Sequence, residues 1–321
     1  MQFTSLKWMC VVLTSSLVGC SQITPLPEHQ VALSQTYPLQ TQGNYQVLSW
    51  DNYVNDQQLI NLVDLALVSN QDLKIASLRI HEAQAAYGIQ RAELFPNIGG
   101  NAGMERNHVP ADLSYVGREM TTSQYSVGLG MNQWELDLWG RIRSLNEAAL
   151  QQFFAVESNV QAVRNSLIQQ TVLSYLTLSE LDKRIYFAQR SVQNYEKSVR
   201  LFKRRYEVGA SSKVEYMQAK TMLSNGQALV TQLEKSRALT ANYLVQLVGQ
   251  PTSLHQTDLD QVTFKTGVLH TGLPSDLLLN RADIRASEAM LKSKHANINA
   301  ARAAFFPRIT LTGSLGTASA D

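Results

Sequence analysis

The stretch from Gly140 to Tyr206 constrains the fold of this chain more than any other feature. Its apolar residues recur at alternating steps of three and four, and they are Ile142, Leu145, Ala149, Phe153, Val156, Val160, Val163, Leu167, Leu178, Leu181, Ile185, Ala188, Val192, Tyr195, Val199, Phe202 and Tyr206. The pattern is interrupted only around Gln170 and Ser174. A helix of this length is on the order of 100 Å at about 1.5 Å per residue, longer than a globular domain needs. Because the period is 3.5 and the other faces are polar, we predict water-exposed helices that supercoil side by side.

Composition and motifs argue against several functional classes. Only 17% of the 321 residues are charged and the net charge is +2, which is weak for a nucleic-acid binder. Six scattered histidines form no metal-binding spacing, and no nucleophile elbow, P-loop or dinucleotide motif is present. Glu135 and Asp137 are interpreted as a polar stripe on a strand rather than a catalytic pair. We therefore predict neither an enzyme nor a metal or other cofactor site.

The N-terminus predicts export and lipidation. Lys7 precedes an apolar run that leads to Leu17-Val18-Gly19-Cys20, and this pattern is typical of a secretory signal peptide over residues 1–19. The ending resembles the bacterial lipobox, so Cys20 is the expected covalent lipid anchor, carrying palmitate-type acyl chains. An ordinary signal peptide that contains a cysteine is the alternative. By the same resemblance, Ser21 after the cysteine favours the outer membrane.

The next segments alternate between tether, helix and strand. Residues 20–50 are polar and proline-containing, which predicts an extended tether. A helix is expected from a cap at Asp56 to about Glu93, ending before Pro96. Apolar residues then alternate with polar or small ones in two runs, Ile98 to Met104 and Tyr125 to Met131, with a change of phase near Gln133. We predict a β-hairpin over about 96–138; it is either a transmembrane hairpin or a soluble antiparallel one.

A second helix is predicted from Lys213 to Val248, capped by Ser211 or Ser212. The short connection from the first long helix requires an antiparallel helical hairpin over about 140–248, whose exposed tip is Val208 to Ser212. Residues 251–272 read as a connector, and a further helix is expected from about Ser275 to Ala303.

The last helix repeats the first. When Pro307 is aligned with Pro96, Phe306 falls on Phe95 and Ile309 falls on Ile98. We interpret this as a duplicated module, with the first copy over 51–250 and the second starting at 273 and cut short at Asp321. One such module closes neither a barrel nor a tube, so we expect no functional channel from this chain alone.

An ordered set of motifs supports a family resemblance. The set comprises Trp50, Asn70-Gln71-Asp72-Leu73, Leu94-Phe95-Pro96, Trp134-Glu135-Leu136-Asp137-Leu138-Trp139-Gly140-Arg141, Tyr206-Glu207-Val208-Gly209-Ala210-Ser211 and Phe306-Pro307. Together these motifs resemble the outer-membrane efflux family typified by TolC and OprM, in its lipoprotein branch. The resemblance implies a mixed α and β membrane protein, in which β-barrel strands adjoin a periplasmic α-barrel of long coiled-coil helices. Ala282 departs from the family, which often has proline there.

The same resemblance implies a function and partners. Full-length chains would form a homotrimer with a twelve-stranded outer-membrane barrel, the passive conduit of a tripartite efflux system that contributes to antibiotic resistance. A periplasmic adaptor, working with an inner-membrane transporter, would dock on the tip residues Val208, Gly209, Ala210 and Ser211. The rival hypothesis is a structural coiled-coil lipoprotein without a pore, in which the alternating segments would be soluble.

Overall fold

The structure is a computed structural model that describes residues 24–26, 50, 54–254 and 275–320. In chain order its elements are α1 (Gln57–Ser69), α2 (Gln71–Ala92), β1 (Ile98–Val109), β2 (Met120–Glu135), α3 (Arg141–Glu207), α4 (Lys213–Val248), a 3₁₀ helix (Ser275–Asn280), α5 (Ala282–Ala303) and β3 (Thr310–Ala320). The predicted signal peptide, Cys20 and most of the predicted tether and connector lie outside the described residues.

The chain divides into two compact units, which are described separately. The first comprises residues 1–31, 79–158 and 283–321, and the second comprises residues 32–78 and 159–282. These units do not correspond to the two predicted repeats, and the division into repeats stays a prediction.

The first unit contains one antiparallel sheet with the strand order β1-β2-β3. β1 pairs with β2 from Ile98 opposite Met131 to Val109 opposite Met120. β3 joins the other edge of β2 and pairs Gly316 with Gly128. Both faces of β1 and β3 are exposed almost throughout. This sheet therefore has no hydrophobic core of its own in the described part of the chain.

The phase change predicted near Gln133 is a β-bulge. The pairing of β2 with β3 shifts register between Met131 and Trp134, and Gln133 has a φ of 58°. Residues other than glycine rarely adopt this left-handed backbone conformation, so the extra residue is accommodated with local backbone strain. The bulge moves the apolar side chains of β2 from one face to the other, as the sequence pattern required.

The long heptad stretch forms a single helix, α3, as predicted. Several expected apolar positions are buried, among them Leu167, Leu178 and Ile185, whereas Val163 and Tyr206 are exposed. The interruption around Ser174 is not a gap in packing, because Thr171, Ser174, Tyr175 and Ser179 are all buried there. The hydroxyls of Thr171 and Ser179 donate to carbonyls four residues earlier, which satisfies them inside the core.

The second unit owes its core to α1. Asp56 caps this helix by accepting hydrogen bonds from the backbone N–H groups of Gln58 and Leu59. The apolar face of α1 packs with α3 and α4 in one cluster, whose buried members are Val54, Leu59, Leu62, Val63, Ala66, Leu167, Tyr175, Leu178, Leu244, Leu247 and Val248. Trp50 packs against this cluster.

The prediction of one continuous helix from Asp56 to Glu93 was wrong. Asn70 has an extended backbone (φ −61°, ψ 128°) and separates α1 from α2. Its side chain accepts a hydrogen bond from the N–H of Leu73 and donates one of 2.9 Å to the carbonyl of Leu247. The break is therefore stabilised by a capping bond and by a long-range contact with α4.

The predicted antiparallel arrangement of α3 and α4 is confirmed within the second unit. Contacts pair residues in opposite order along the two helices, namely Gln170 with Tyr243, Asp182 with Arg237, Gln189 with Glu234, Tyr195 with Gly226 and Tyr206 with Tyr216. A Cβ atom at Gly226 would lie 3.0 Å from the Tyr195 ring, so glycine allows the close approach of the helices here. Asp182 is buried and forms a two-bond ion pair with Arg237.

The last predicted helix also begins later than expected. Residues 275–280 form a 3₁₀ helix, and α5 starts at Ala282. The buried residues of α5 are mostly alanine, with Ser293 and Asn299 among them. None of the helices in the described part of the chain is both long enough and apolar enough to cross a membrane.

Candidate functional site

The four predicted tip residues lie together where α3 turns into α4. The N–H of Gly209 donates to the carbonyl of Tyr206, and the N–H of Ala210 donates to the carbonyl of Arg205 over 2.8 Å. These two bonds form a Schellman motif, which ends a helix through one left-handed residue. Gly209 is that residue, with a φ of 72°. Glycine is favoured here because it adopts positive φ without a Cβ penalty.

Ser212, rather than Ser211, caps α4. Its hydroxyl accepts from the N–H of Glu215, while the Glu215 carboxylate accepts from the N–H of Ser212. Ser211 has a different role, since its hydroxyl donates to Glu215 over 2.6 Å. Glu215 was not among the predicted tip residues, although it follows Ser212 by three positions, the Ser-x-x-Glu spacing of a capping box.

These hydrogen bonds favour the ionised form of the Glu215 carboxyl at the tip. The Ser211 hydroxyl, followed by the backbone N–H of Ser212, lowers the pKa of the Glu215 carboxyl from its ordinary value of 4.5. The nearby Arg205 guanidinium acts in the same direction and also donates to the carbonyl of Ala210. Tyr206 and Tyr216 stack below the turn at a centroid distance of 6.1 Å. The tip is thus a defined and ion-containing turn rather than a loose loop.

The tip presents apolar side chains to solvent. Val208 is 73% exposed, and an atom added at the Cβ position of Gly209 would meet nothing within 4 Å. On the first two turns of α4, Val214 and Met217 are exposed beside Lys213, and Met222 continues the apolar surface. Exposed apolar side chains beside a lysine suit contact with another protein.

A second constellation lies in the first unit, at the junction between β2 and α3. Glu135 accepts two hydrogen bonds from the Arg141 guanidinium, at 2.9 and 2.7 Å. Asp137 accepts from the backbone N–H groups of Ile142 and Arg143 and pairs with the Arg143 side chain. The hydrogen bonds that Arg141 donates to Glu135 are the main reason that the pKa of the Arg141 guanidinium is raised.

These contacts correct the interpretation of Glu135 and Asp137 as a polar stripe on a strand, because β2 ends at Glu135 and Asp137 lies beyond it. Both carboxylates are mostly buried and paired, and Asp137 also caps the start of α3. Their role is structural, since they hold the strand against the helix that follows. Trp139 completes the junction by stacking on Phe306 at 4.8 Å and donating from Nε1 to the carbonyl of Pro307.

The remaining predicted site residue, Cys20, lies outside the described residues. Among the residues that the structure does describe, no group of three or more His, Cys, Asp or Glu side chains is arranged to hold a metal ion.

Comparison with known proteins places these features in a family. The family described as "Outer membrane efflux protein" matches residues 62–250 and 273–321. The toluene efflux pump outer membrane protein TtgC of Pseudomonas putida is 36% identical over 277 residues, which are 85% of this chain and 56% of TtgC. The chain therefore spans little more than half the length of this relative.

Solved structures agree with the sequence match. A membrane protein from Pseudomonas aeruginosa is similar with a TM-score of 0.80 at 33% identity, over 94% of this chain and 69% of that one. The open state of the Neisseria gonorrhoeae MtrE outer membrane channel gives a TM-score of 0.78 at 33% identity, over 94% and 67% of the two chains.

Long antiparallel helices combined with a sheet exposed on both faces thus define the fold of an outer-membrane channel protein. The chain belongs to the outer membrane efflux protein family, and its location is the outer membrane.

Proposed function

We propose that the chain is a component of the outer-membrane channel of a tripartite efflux system. The observation that carries this proposal is the sheet, since β1, β2 and β3 pair along 10 or more residues while the faces of β1 and β3 stay exposed. Strands of about 9–11 residues match the hydrocarbon thickness of a bilayer. Such a sheet loses its exposed apolar surface and its free edges only inside a closed barrel in lipid.

The complete channel is a passive conduit made by three chains of full length. We propose that a second module continues the sheet beyond β3, so that each chain supplies four strands to a twelve-stranded barrel and its long helices to a periplasmic α-barrel. The equal length of α2 and α5, 22 residues each, and their position before β1 and β3 support an internal duplication. The conduit catalyses no reaction, and its cargo is the set of molecules that the inner-membrane transporter delivers.

The tip is the proposed docking site for the periplasmic adaptor. Val208, Gly209, Ala210 and Ser211 form an ordered, exposed turn, and ordered turns lose little conformational entropy on binding. The apolar surface of Val214 and Met217 lies next to it on α4.

Cys20 is the proposed lipid anchor. Its place after Leu17-Val18-Gly19 is the supporting observation. Growth with radiolabelled palmitate tests the anchor, because wild-type protein should be labelled and Cys20→Ala should not. A labelled Cys20→Ala protein would exclude acylation at this cysteine.

The channel is tested by expressing the full-length gene and isolating the product from outer membranes. We expect a trimer that requires detergent for extraction, dissociates on heating and restores drug resistance to a strain without its own channel. The rival, a coiled-coil lipoprotein without a pore, predicts a monomer that salt or lysozyme releases. That result would overturn the channel proposal.

A further inference from the structure

One small group of long-range contacts is explained neither by the tip nor by the junction. Thr24, in the N-terminal segment, lies against α5 in the first unit. The carbonyl oxygen of Thr24 accepts from His295 Nε2 at 2.8 Å and from Asn299 Nδ2 at 3.2 Å. The Thr24 hydroxyl accepts from Arg302 Nη1 at 2.9 Å. More than 270 residues of sequence separate the two sides of this contact.

The three α5 residues form one site because of their spacing. His295, Asn299 and Arg302 are separated by four and three residues, which places them on one face of a helix. Asn299 is only 6% exposed, and its Oδ1 is buried without a hydrogen-bond partner in the described part of the chain. This face of α5 thus offers donors to a backbone carbonyl and an acceptor to a backbone N–H, the groups that an extended peptide presents.

The sequence of the segment suits such a site. Thr24 precedes Pro25, and a residue before proline is biased towards an extended conformation. Leu26 also precedes a proline, so the sequence disfavours a helix in which the Thr24 carbonyl would accept from the N–H four residues later. The Thr24 carbonyl is therefore available to donors from elsewhere.

We propose that His295, Asn299 and Arg302 form a docking site for the N-terminal segment, and that this site fixes where the lipid of Cys20 enters the membrane. The second part rests on the proposed acylation of Cys20. Thr24 is four positions after Cys20, and an extended chain spans at most about 3.6 Å per residue, so the reach is about 14 Å. The docking site lies in the last three turns of α5, which ends at Ala303, seven residues before β3 begins.

The acyl chains therefore enter the bilayer close to the ends of the strands that follow the helices. The anchor and the sheet then share one membrane boundary. Without the docking site, the same tether would allow the lipid to attach over a much wider area.

Cleavage by a glutamate-specific protease tests the docking in membranes that contain the full-length protein. Glu28 is the first acidic residue after Thr24. We expect Thr24→Val, which removes only the hydroxyl, and His295→Ala to be cleaved at Glu28 several-fold faster than wild type, up to about tenfold for one lost hydrogen bond. His295→Gln keeps an N–H donor and should restore slow cleavage. Lys294→Ala, an exposed neighbour on α5, is the matched control and should be cleaved like wild type.

Equal cleavage rates in Thr24→Val, His295→Ala and Lys294→Ala would overturn the docking site. Palmitate labelling of the same samples separates this failure from failure of the lipid anchor. Labelled protein with equal rates refutes the docking alone and leaves the proposed function intact. Unlabelled protein refutes the placement of the lipid, while the cleavage rates still decide whether Thr24 docks.

Discussion

The Tyr175 hydroxyl donates a hydrogen bond of 2.7 Å to Asp56, the carboxylate that also caps α1. Tyr175 is fully buried at the point where the heptad pattern of α3 is interrupted. One oxygen of Asp56 thus starts α1 while the other holds that helix to α3. The interruption in the pattern is the place where a third helix packs.

Tyr175→Phe tests this link. The change removes one hydrogen bond to a charged group and leaves the ring in place, so we expect a loss of about 1.5–3 kcal/mol in the free energy of unfolding. Asp56→Asn keeps a good capping residue and should cost less than Asp56→Ala, which also loses about 1 kcal/mol of capping. Urea denaturation followed by circular dichroism measures each value. A double-mutant cycle with coupling below about 0.5 kcal/mol would show that the two residues act independently.

Gly249 and Gly209 provide a matched pair of alanine substitutions. Both have positive φ, 80° and 72°, so alanine should cost about 1–2 kcal/mol at either position through backbone strain. At Gly249 the new Cβ would also lie 2.6 Å from the carbonyl oxygen of Ser69, whereas at Gly209 it meets nothing within 4 Å. We therefore expect Gly249→Ala to be clearly the more destabilising in urea denaturation. Equal losses of stability in the two variants would mean that Gly249 does not lie in close contact with the Ser69 carbonyl.

The start of α4 should depend on pH through Glu215. The folded-state pKa of this carboxyl lies below its unfolded value, so its contribution to stability is complete above the ordinary value of 4.5 and is lost as the pH falls through the lower folded-state pKa. The protection factors of the amides in the first turn of α4, which correct for the intrinsic effect of pH on exchange, should fall below pH 4.5. Glu215→Gln should remove this dependence. A first turn that exchanges equally in both proteins across the range would contradict the assignment.

Docking at the tip can be tested with a bulky substitution that leaves the charge unchanged. Ala210→Trp should abolish drug resistance in the full-length protein, because the larger side chain occupies surface that the adaptor requires. Asp112→Trp, in the exposed loop between β1 and β2, is the control and should retain resistance. Trimer yield should be unchanged in both, as measured by electrophoresis without heating. Normal resistance in Ala210→Trp would exclude docking at this residue.

The regular elements were predictable because their patterns are local. The period of 3.5 placed α3 within one residue of its observed limits, and the bounds of α4 were predicted as found. The change of phase in β2 indicated the irregularity that appears at Gln133. Alternation alone left open whether the hairpin faces lipid or water.

The features that sequence did not predict depend on distant partners. Asn70 interrupts an apolar pattern that continues on both sides, and its bond to the Leu247 carbonyl joins residues 177 positions apart. Thr171 carries no apolar signal, yet it is fully buried between Leu167 and Tyr175, which belong to the core cluster with α1. The contacts of Thr24 with α5 carry no periodic signal at all. At the tip, in contrast, the capping partner of Ser212 was readable as a short motif.

The edge of β1 that does not face β2 affects how the chain behaves before it reaches the membrane. Within the part of the chain that the structure describes, the twelve residues of this strand pair with β2 on one side only. In water, such an edge invites strands of other chains to add to it. A newly exported chain is therefore most vulnerable to misassembly during its passage to the membrane, so escort by a chaperone and prompt delivery would matter as much to its yield as the stability of its final fold.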